Sequence, residues 1–502
     1  MAGADPMTAT EPHDIQGLLR SGYGSLTEAS FLLLRVADAA KARAWLAKTS
    51  VTSYGDLDAR VKSALHIGFT AAGLRALGLP EHIVAQFPAE FVSGIAGDET
   101  RSRQLGDVGR NAPQNWVWGY REREPHLIVM LYAESGGLAS LRQSVATAPF
   151  DAGFQIIAEL PTSDLDNKEP FGFVDGISQP KVDWKQEKKT GTDADLEYGN
   201  LIALGEFVLG YENEYGLFTN SPSLSAAEDR AGILPQADGA PGRRDLGRNG
   251  TYLVYRQLEQ DVRGFWRFAA GGGDFAHADR LATAMVGRTR EGEPLADPAE
   301  RAIRGVEPDA PGRPRNNFIY DADAKGLRCP FGAHIRRSNP RGGDMPGGRQ
   351  GLISQLLRQV GLKHGDARED LTASSRFHRI LRRGREYGEA PEPEAALAPG
   401  APETIAGINF IGLNANIARQ FEFVQSAWLM SARFNGMTGE TDPLVGNRER
   451  LASGEATDRF YQPQAAGAAV VTEGLPQFIT VRGGAYFFLP SVRALRFLAA
   501  LG

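Results

Sequence analysis

The chain has 502 residues, 42% of them apolar and 23% charged, which is globular in composition and long enough for more than one core. Lys and Arg total 55 against 61 Asp and Glu, a net charge of -6 that argues against a general phosphate-backbone binder. The single cysteine, Cys329, excludes an intrachain disulfide and any four-cysteine metal site.

The first fourteen residues (MAGADPMTATEPHD) carry no basic or apolar export-signal region, and the strongly apolar runs are strand-length, far short of the ~20 residues a spanning helix needs. The expectation is a soluble, cytoplasmic protein that binds neither membrane nor nucleic acid.

Three segments share a strand-then-helix grammar. Residues 31–36 (FLLLRV) read as a strand and 39–48 as a helix with Ala42, Trp45 and Leu46 on one face. Residues 126–132 (HLIVMLY) precede a helix over 137–146. Residues 251–256 (TYLVYR) precede a helical stretch over 257–268, with Leu258, Val262 and Phe265 in register. Strand-helix-strand units in both halves predict an α+β chain of two related domains, 1–220 and 251–502.

Between them, residues 221–250 are rich in turn signals and charge and read as a surface linker. Insertions are expected at 287–315, at 342–376, where 352–360 reads as a short helix, and at the Ala/Pro/Glu tract 389–403. Residues 486–500 read as a strand, a proline stop and a closing helix.

Eight histidines allow each to be weighed, and no HExxH, His-x-His or GxSxG pattern occurs. His334 lies in CPFGAHIRRSNPR. A lone histidine is ordinarily structural, but its cation-rich flank suits a dianionic partner such as the propionates of a haem. Asp175 lies in FGFVDGISQP, where a tight turn is the ordinary outcome and an acid-base carboxylate in an apolar pocket the functional one. HRILRRGREYG concentrates arginines around Arg382, either a solvated basic loop or a guanidinium turned inward to stabilise developing negative charge.

Together and in this order these segments resemble those of the dye-decolourising peroxidases, a family of haem peroxidases. The GxxDG motif matches residues 172–176, the proximal-histidine motif the segment around His334, and the distal-arginine motif the segment around Arg382. Further similarity falls at 14–17 (DIQG), 69–79 (FTAAGLRALGL), 205–216 (GEFVLGYENEYG), 415–425 (ANIARQFEFVQ) and 486–491 (YFFLPS).

The resemblance, to the larger bacterial subgroup without an export signal, implies two ferredoxin-like α+β domains of the dimeric α/β-barrel superfamily, with one haem b per chain held mainly by the second. It implies His334 as the iron ligand, Asp442 accepting that imidazole's other N–H, and Asp175 and Arg382 as the distal pair handling hydrogen peroxide. Arg341 would contact a propionate and Phe410 would line the distal pocket. Asn409 stands where a leucine is common, which leaves the polarity of the peroxide channel open.

Dyes and aromatic donors would be the electron donors, with Trp266, Tyr387 and Trp428 as surface hopping sites by residue type, although packing is the ordinary role of each. A haem-binding protein that releases iron without peroxidase turnover is the alternative, and a haem-free scaffold a third reading. The oligomeric state is left open, a homo-oligomer included.

Overall fold

The computed structural model describes residues 10–190, 198–342 and 375–502. Residues 1–9 and most of the 342–376 insertion, including the expected helix at 352–360, lie outside the described residues.

An unbroken apolar run makes a strand covered on both faces, and the first half is built on two of these. Strands β1 (Glu28–Val36), β2 (Ser63–Phe69), β3 (Leu127–Ala133) and β4 (Phe154–Pro161) form an antiparallel array in the order β2-β3-β1-β4. Alternation along β3 sends Leu127, Val129 and Leu131 to one core and Ile128, Met130 and Tyr132 to another.

Helix α1 (Ala39–Leu46) is capped by Asp38, whose carboxylate accepts from Lys41 N at 3.0 Å, and it buries Ala42, Trp45 and Leu46 as its periodicity predicts. Helix α2 (Ala71–Leu77) is capped by Thr70 and stopped by Gly78 at φ 101°. Helix α3 spans Leu138–Val145.

The second half repeats this connectivity with β5 (Thr251–Gln260), α4 (Val262–Ala270), α5 (Phe275–Val286), α6 (His334–Ser338), a strand in two pieces, β6 (Leu381–Arg382) and β7 (Arg385–Gly388), then β8 (Ala406–Asn414), β9 (Ile479–Leu489) and α7 (Val492–Ala499). The order β6/β7-β8-β5-β9 matches that of the first half, so each half is a ferredoxin-like βαββαβ unit.

The expected helix over 257–268 starts later, at Val262. Paired with β8 on one side and β9 on the other, β5 stays extended through Gln260, and Asp261 then caps α4. Leu258 is therefore a strand residue whose spacing from Val262 imitates a helical face.

The halves join along two seams, through the pairing of Phe488 with Phe69 and through Ser163 N–H donating to the Glu386 carbonyl at 2.9 Å. Phe31, Tyr132, Trp118, Tyr255 and Phe487 fill one core that both halves share.

The layers outside the two arrays differ. In the first half, side chains from β1, β2 and β3 pack solidly against Trp45, Leu74 and Phe150. In the second, the face of β5 and β8 carrying Arg256, Leu258, Ile408 and Phe410 looks into a cavity of about 320 Å³.

The 221–250 segment is more than a surface connection. Ser223–Ser225 pairs with Arg243–Asp245 as a small hairpin, and Leu224, Leu234 and Leu246 are buried in the first-half core, because three leucines there are worth more covered than exposed. In the 389–403 tract a short helix, Pro393–Ala396, buries its ends against α4. Among the described residues no helix is long and apolar enough to cross a membrane.

Gly73, within the 69–79 block, packs so closely that a Cβ would sit 1.8 Å from the His126 carbonyl oxygen. Gly73→Ala is expected to lower stability by about 3 kcal/mol, read as a shift in the urea midpoint at unchanged slope.

Candidate active site

Asp175 is placed by a loop that straps itself. Its backbone N–H donates to the Asn167 carbonyl at 3.0 Å and that of Val174 to the Arg290 carbonyl at 3.0 Å. Glu169 accepts from the N–H groups of Phe171 and Phe173, both at 3.0 Å, and from Gln260 Nε2 at 2.7 Å, which ties the loop to β5. Gly172 turns at φ 93°, where a Cβ would lie 2.8 Å from Pro393 Cγ, so the first glycine of the motif is a backbone requirement.

Arg382 reaches Asp175 from β6, its Nη1 donating to Oδ1 at 2.9 Å. The neighbouring arginines aim it. Arg383 donates to the carbonyls of Leu18 and Leu19, and Arg385 to those of Gly22, Tyr23 and Leu26, so both are spent holding the first half to the second. Alternation then turns Arg382 to the cavity.

The side chains of Arg382 and Asp175 are 36% and 38% accessible, and both line the cavity. Burial alone would raise the Asp175 carboxyl, but the Arg382 charge, the Gly176 N–H and the His334 ring outweigh it and hold the group below its usual range.

His334, at the start of α6, lines the same cavity. Its Nδ1 is 2.9 Å from Asp442 Oδ2, and Asp442 Oδ1 accepts from the N–H groups of Leu444 and Val445, both at 2.9 Å. Burial disfavours charge on Asp442, yet the His334 ring and these donors keep it ionised, its pKa below the usual value. An ionised, fully buried Asp442 makes Nδ1 the donor and leaves the Nε2 lone pair available to a ligand. Gly332 leaves room for Glu440, whose Oε1 would otherwise meet a Cβ at 1.4 Å.

The cationic flank of His334 behaves differently from expectation. Arg336 is consumed by Asp323 and by the carbonyl of Cys329, and Arg337 by the carbonyls of Trp428, Ser431 and Glu440. Both staple loops, because a buried guanidinium must satisfy five N–H donors and backbone carbonyls are the nearest acceptors.

Of that flank only Arg341 lines the cavity, joined there by Arg288 and Arg379. All three are buried, and among the described residues none has a carboxylate within ion-pair distance. Arg341 is held at φ 56° with bonds to the carbonyls of Asn316 and Phe318, a conformation an arginine keeps only where its surroundings demand it. Burial would raise the Tyr198 phenol, but the charges of Arg379 and Arg341 overcome this and hold it below its ordinary value.

A haem fits this site. The unneutralised arginines match two carboxylates, and Leu258, Phe410, Leu444 and Ile479 supply apolar walls. Among the described residues no cluster of three or more His, Cys, Asp or Glu could hold a free metal ion, so a lone His334 suits a metal brought in by its own macrocycle.

Phe410 lines the cavity, but Asn409 does not. Strand alternation puts Asn409 on the opposite face, fully buried, paired across strands with Gln257 and Arg385. Polarity beside Phe410 comes instead from its cross-strand neighbour Arg256, which is ion-paired to Asp107.

Trp266, Tyr387 and Trp428 are 0%, 8% and 6% exposed, so none is a surface residue; each is core, as aromatic payload usually is. Sequence reasoning missed Glu169, pushed up to about 7 by burial. A glutamate three residues ahead of the motif's first glycine was the available signal.

No protein-family model matches the chain. Over 93% of its length it is 29% identical to the multifunctional dye peroxidase DyP2 of Amycolatopsis sp., covering 91% of that protein. It is 26% identical to a dye-decolorizing peroxidase, AauDyP1, of Auricularia auricula-judae, covering 97% of this chain and 87% of the other. A crystal structure of the DyP-type peroxidase from Auricularia auricula-judae superposes with a TM-score of 0.71 at 23% identity over 98% of this chain and all of that one. The Amycolatopsis DyP2 structure gives 0.68 at 24% over 99% and 98%.

Asp442→Asn keeps the shape at the His334 ring and removes the charge. Haem affinity, followed by Soret titration of the haem-depleted protein, is expected to fall about 10- to 100-fold.

Proposed function

We propose that this chain, similar over nearly its whole length to dye-decolourising peroxidases, is a haem enzyme of that kind that reduces hydrogen peroxide and oxidises dyes, phenols and other aromatic donors in one-electron steps, with Asp175 and Arg382 as its catalytic pair. The observation that carries this reading is the Asp175 carboxylate held at 2.9 Å from the Arg382 guanidinium on a cavity that His334, oriented by Asp442, also lines.

His334 would ligate the iron through Nε2, with Asp442 fixing the ring. Arg341, with Arg288 and Arg379, would neutralise the propionates, and Phe410 would close the apolar wall. Cys329 is buried and absent from the cavity wall, which supports a non-covalent, b-type haem, one per chain. Haem, when bound, supplies a redox-active iron and a conjugated ring able to hold oxidising equivalents.

The chain's own residues handle the protons. Asp175 accepts the proton of one peroxide oxygen and returns a proton to the other, so that water leaves. Arg382 offers its N–H groups to the negative charge that develops as the oxygen-oxygen bond breaks. An iron-releasing haem carrier has no need of such a pair, and for this reason the peroxidase reading is preferred.

The working domain division remains 1–220 and 251–502. A cytoplasmic location and a homo-oligomer remain readings of the sequence.

The deciding measurement is the absorption spectrum of haem-loaded protein before and after one equivalent of peroxide. A peroxidase shows a spectral intermediate and a carrier does not. His334→Ala should lose haem or shift the Soret band. Asp175→Ala and Arg382→Leu should keep haem and slow the first peroxide step by about a hundred- to ten-thousand-fold.

The lowered pKa of Asp175 sets the pH dependence. A carboxylate held below its usual range stays ionised in acid, whereas a histidine in its place would be protonated below about 6.5. The base is therefore present where proton donation to the departing oxygen is easiest, and dye turnover is expected to be faster below pH 6 than at pH 8. A rate that climbs from pH 5 to 8 would remove Asp175 from this role.

A further inference from the structure

The 14–17 block has no part in the cavity, yet it builds a second arrangement of titratable side chains inside the shared core. Gln16 fixes it. Its Nε2 donates to the carbonyls of Ile67 and Pro490 at 2.9 and 2.8 Å, so its Oε1 is the acceptor, taking Ile67 N–H at 3.1 Å and facing His66 Nδ1 at 3.3 Å. His66 therefore carries its proton on Nδ1, and its bare Nε2 accepts the Tyr23 hydroxyl at 2.9 Å.

Gly17 leaves room for that hydroxyl, since a Cβ there would lie 2.6 Å from it. Tyr23 itself is held at φ 57°, its carbonyl taking bonds from Arg385 and from Leu26 N–H. A buried tyrosine in the left-handed region, aimed at a histidine of defined tautomer, is a costly arrangement for packing alone.

An aromatic chain connects it to the cavity. Tyr255 directly precedes Arg256 of the cavity wall on β5. Its ring centroid is 5.8 Å from that of Phe31, which is 5.6 Å from Tyr132, which is 5.0 Å from Tyr23. Neighbouring rings are in contact, which suits electron tunnelling. The hydroxyls of Tyr132 and Tyr255 are buried and have no partner among the described residues, and Arg385 lies over the Tyr132 ring at 5.5 Å. Neither can discharge its proton, and the cation makes an electron harder to take from Tyr132. Of the three tyrosines in this aromatic relay, Tyr23, Tyr132 and Tyr255, Tyr23 is the one with a base on its hydroxyl.

We propose that Tyr23 and His66 form a buried proton-coupled redox pair that takes an oxidising equivalent away from the active site when no donor is present. One electron leaves Tyr23 through Tyr132, Phe31 and Tyr255 and reduces the peroxide-oxidised enzyme by one equivalent. The Tyr23 O–H bond breaks and its proton passes to His66 Nε2, leaving a neutral tyrosyl radical beside an imidazolium. A later donor electron restores the phenol, and the proton returns.

Burial pushes His66 down to about 3, so the imidazolium is disfavoured and gives the proton back. An oxidised phenol is acidic enough to protonate even so weak a base.

The inference rests on the peroxidase reading for its oxidant, and two measurements separate the two. In histidine-labelled full-length protein, nitrogen NMR should show His66, assigned with His66→Gln among eight histidines, as the neutral Nδ1–H tautomer down to pH 5. The Nε2–H tautomer would overturn the pair whatever the haem does.

In holoenzyme given peroxide without donor, freeze-quenched EPR should show a tyrosyl radical. Tyr23→Phe should lose that signal and survive fewer peroxide additions, while its Soret response to the first equivalent stays that of the wild type. An undiminished radical in Tyr23→Phe would overturn the proposal. A wild-type Soret band indifferent to peroxide would instead overturn the peroxidase reading, and the tautomer would still decide the pair.

Discussion

A buried cation must be given acceptors or a counter-charge, and the way this chain meets that demand at each arginine organises the molecule. Arg336, Arg337, Arg383 and Arg385 are satisfied mainly by backbone carbonyls, and they fasten loops and join the halves. Arg382 and Arg256 are ion-paired with carboxylates, Asp175 and Asp107, on the cavity wall. Arg288, Arg341 and Arg379 have acceptors but, among the described residues, no counter-charge. Their unbalanced charge makes the cavity electrostatically incomplete without an anion.

The same logic orders the carboxylates. Asp175 lines the cavity from one half of the chain and Asp442 is buried behind His334 in the other, and each stays ionised although burial opposes it. Asp442 is held by the His334 ring and two backbone N–H groups, a closed set that orients. Asp175 shares an open wall with Arg382, where a proton can come and go. One fold thus supports an enclosed carboxylate and a solvent-open one by differing in what surrounds them.

Duplication explains where the cavity sits. Both halves have the strand order of one ferredoxin-like unit, and both must cover the outer face of the sheet. The first does so with Trp45, Leu74 and Phe150, solid core that contributes stability. The second leaves that layer open, and its helices pack among themselves and against Phe171 and Phe173 of the Asp175 loop. The blocks at 205–216 and 415–425, remote in sequence, are fastened to each other. The Glu206 carbonyl accepts from Ala415 N–H at 2.8 Å and from Gln420 Nε2 at 2.9 Å, and its carboxylate pairs with Arg419.

By itself the sequence determined the class, the paired α+β halves, and the three segments around Asp175, His334 and Arg382, because apolar periodicity and short motifs are local properties of a chain. It misjudged Arg336 and Arg337, whose charge is written in the sequence but whose direction is set by which carbonyls come within reach. It misplaced Asn409, since the face of a strand depends on register, and it ended β5 early, since pairing on both sides overrides local spacing. Only the tertiary structure decided that Glu169 straps the Asp175 loop to β5, that Arg288 and Arg379 join Arg341, and that Gln16 sets the tautomer of His66 beside Tyr23. Those are relations between side chains tens of residues apart, and the distance and angle that give them chemical meaning exist only once the sheets have closed around a common core.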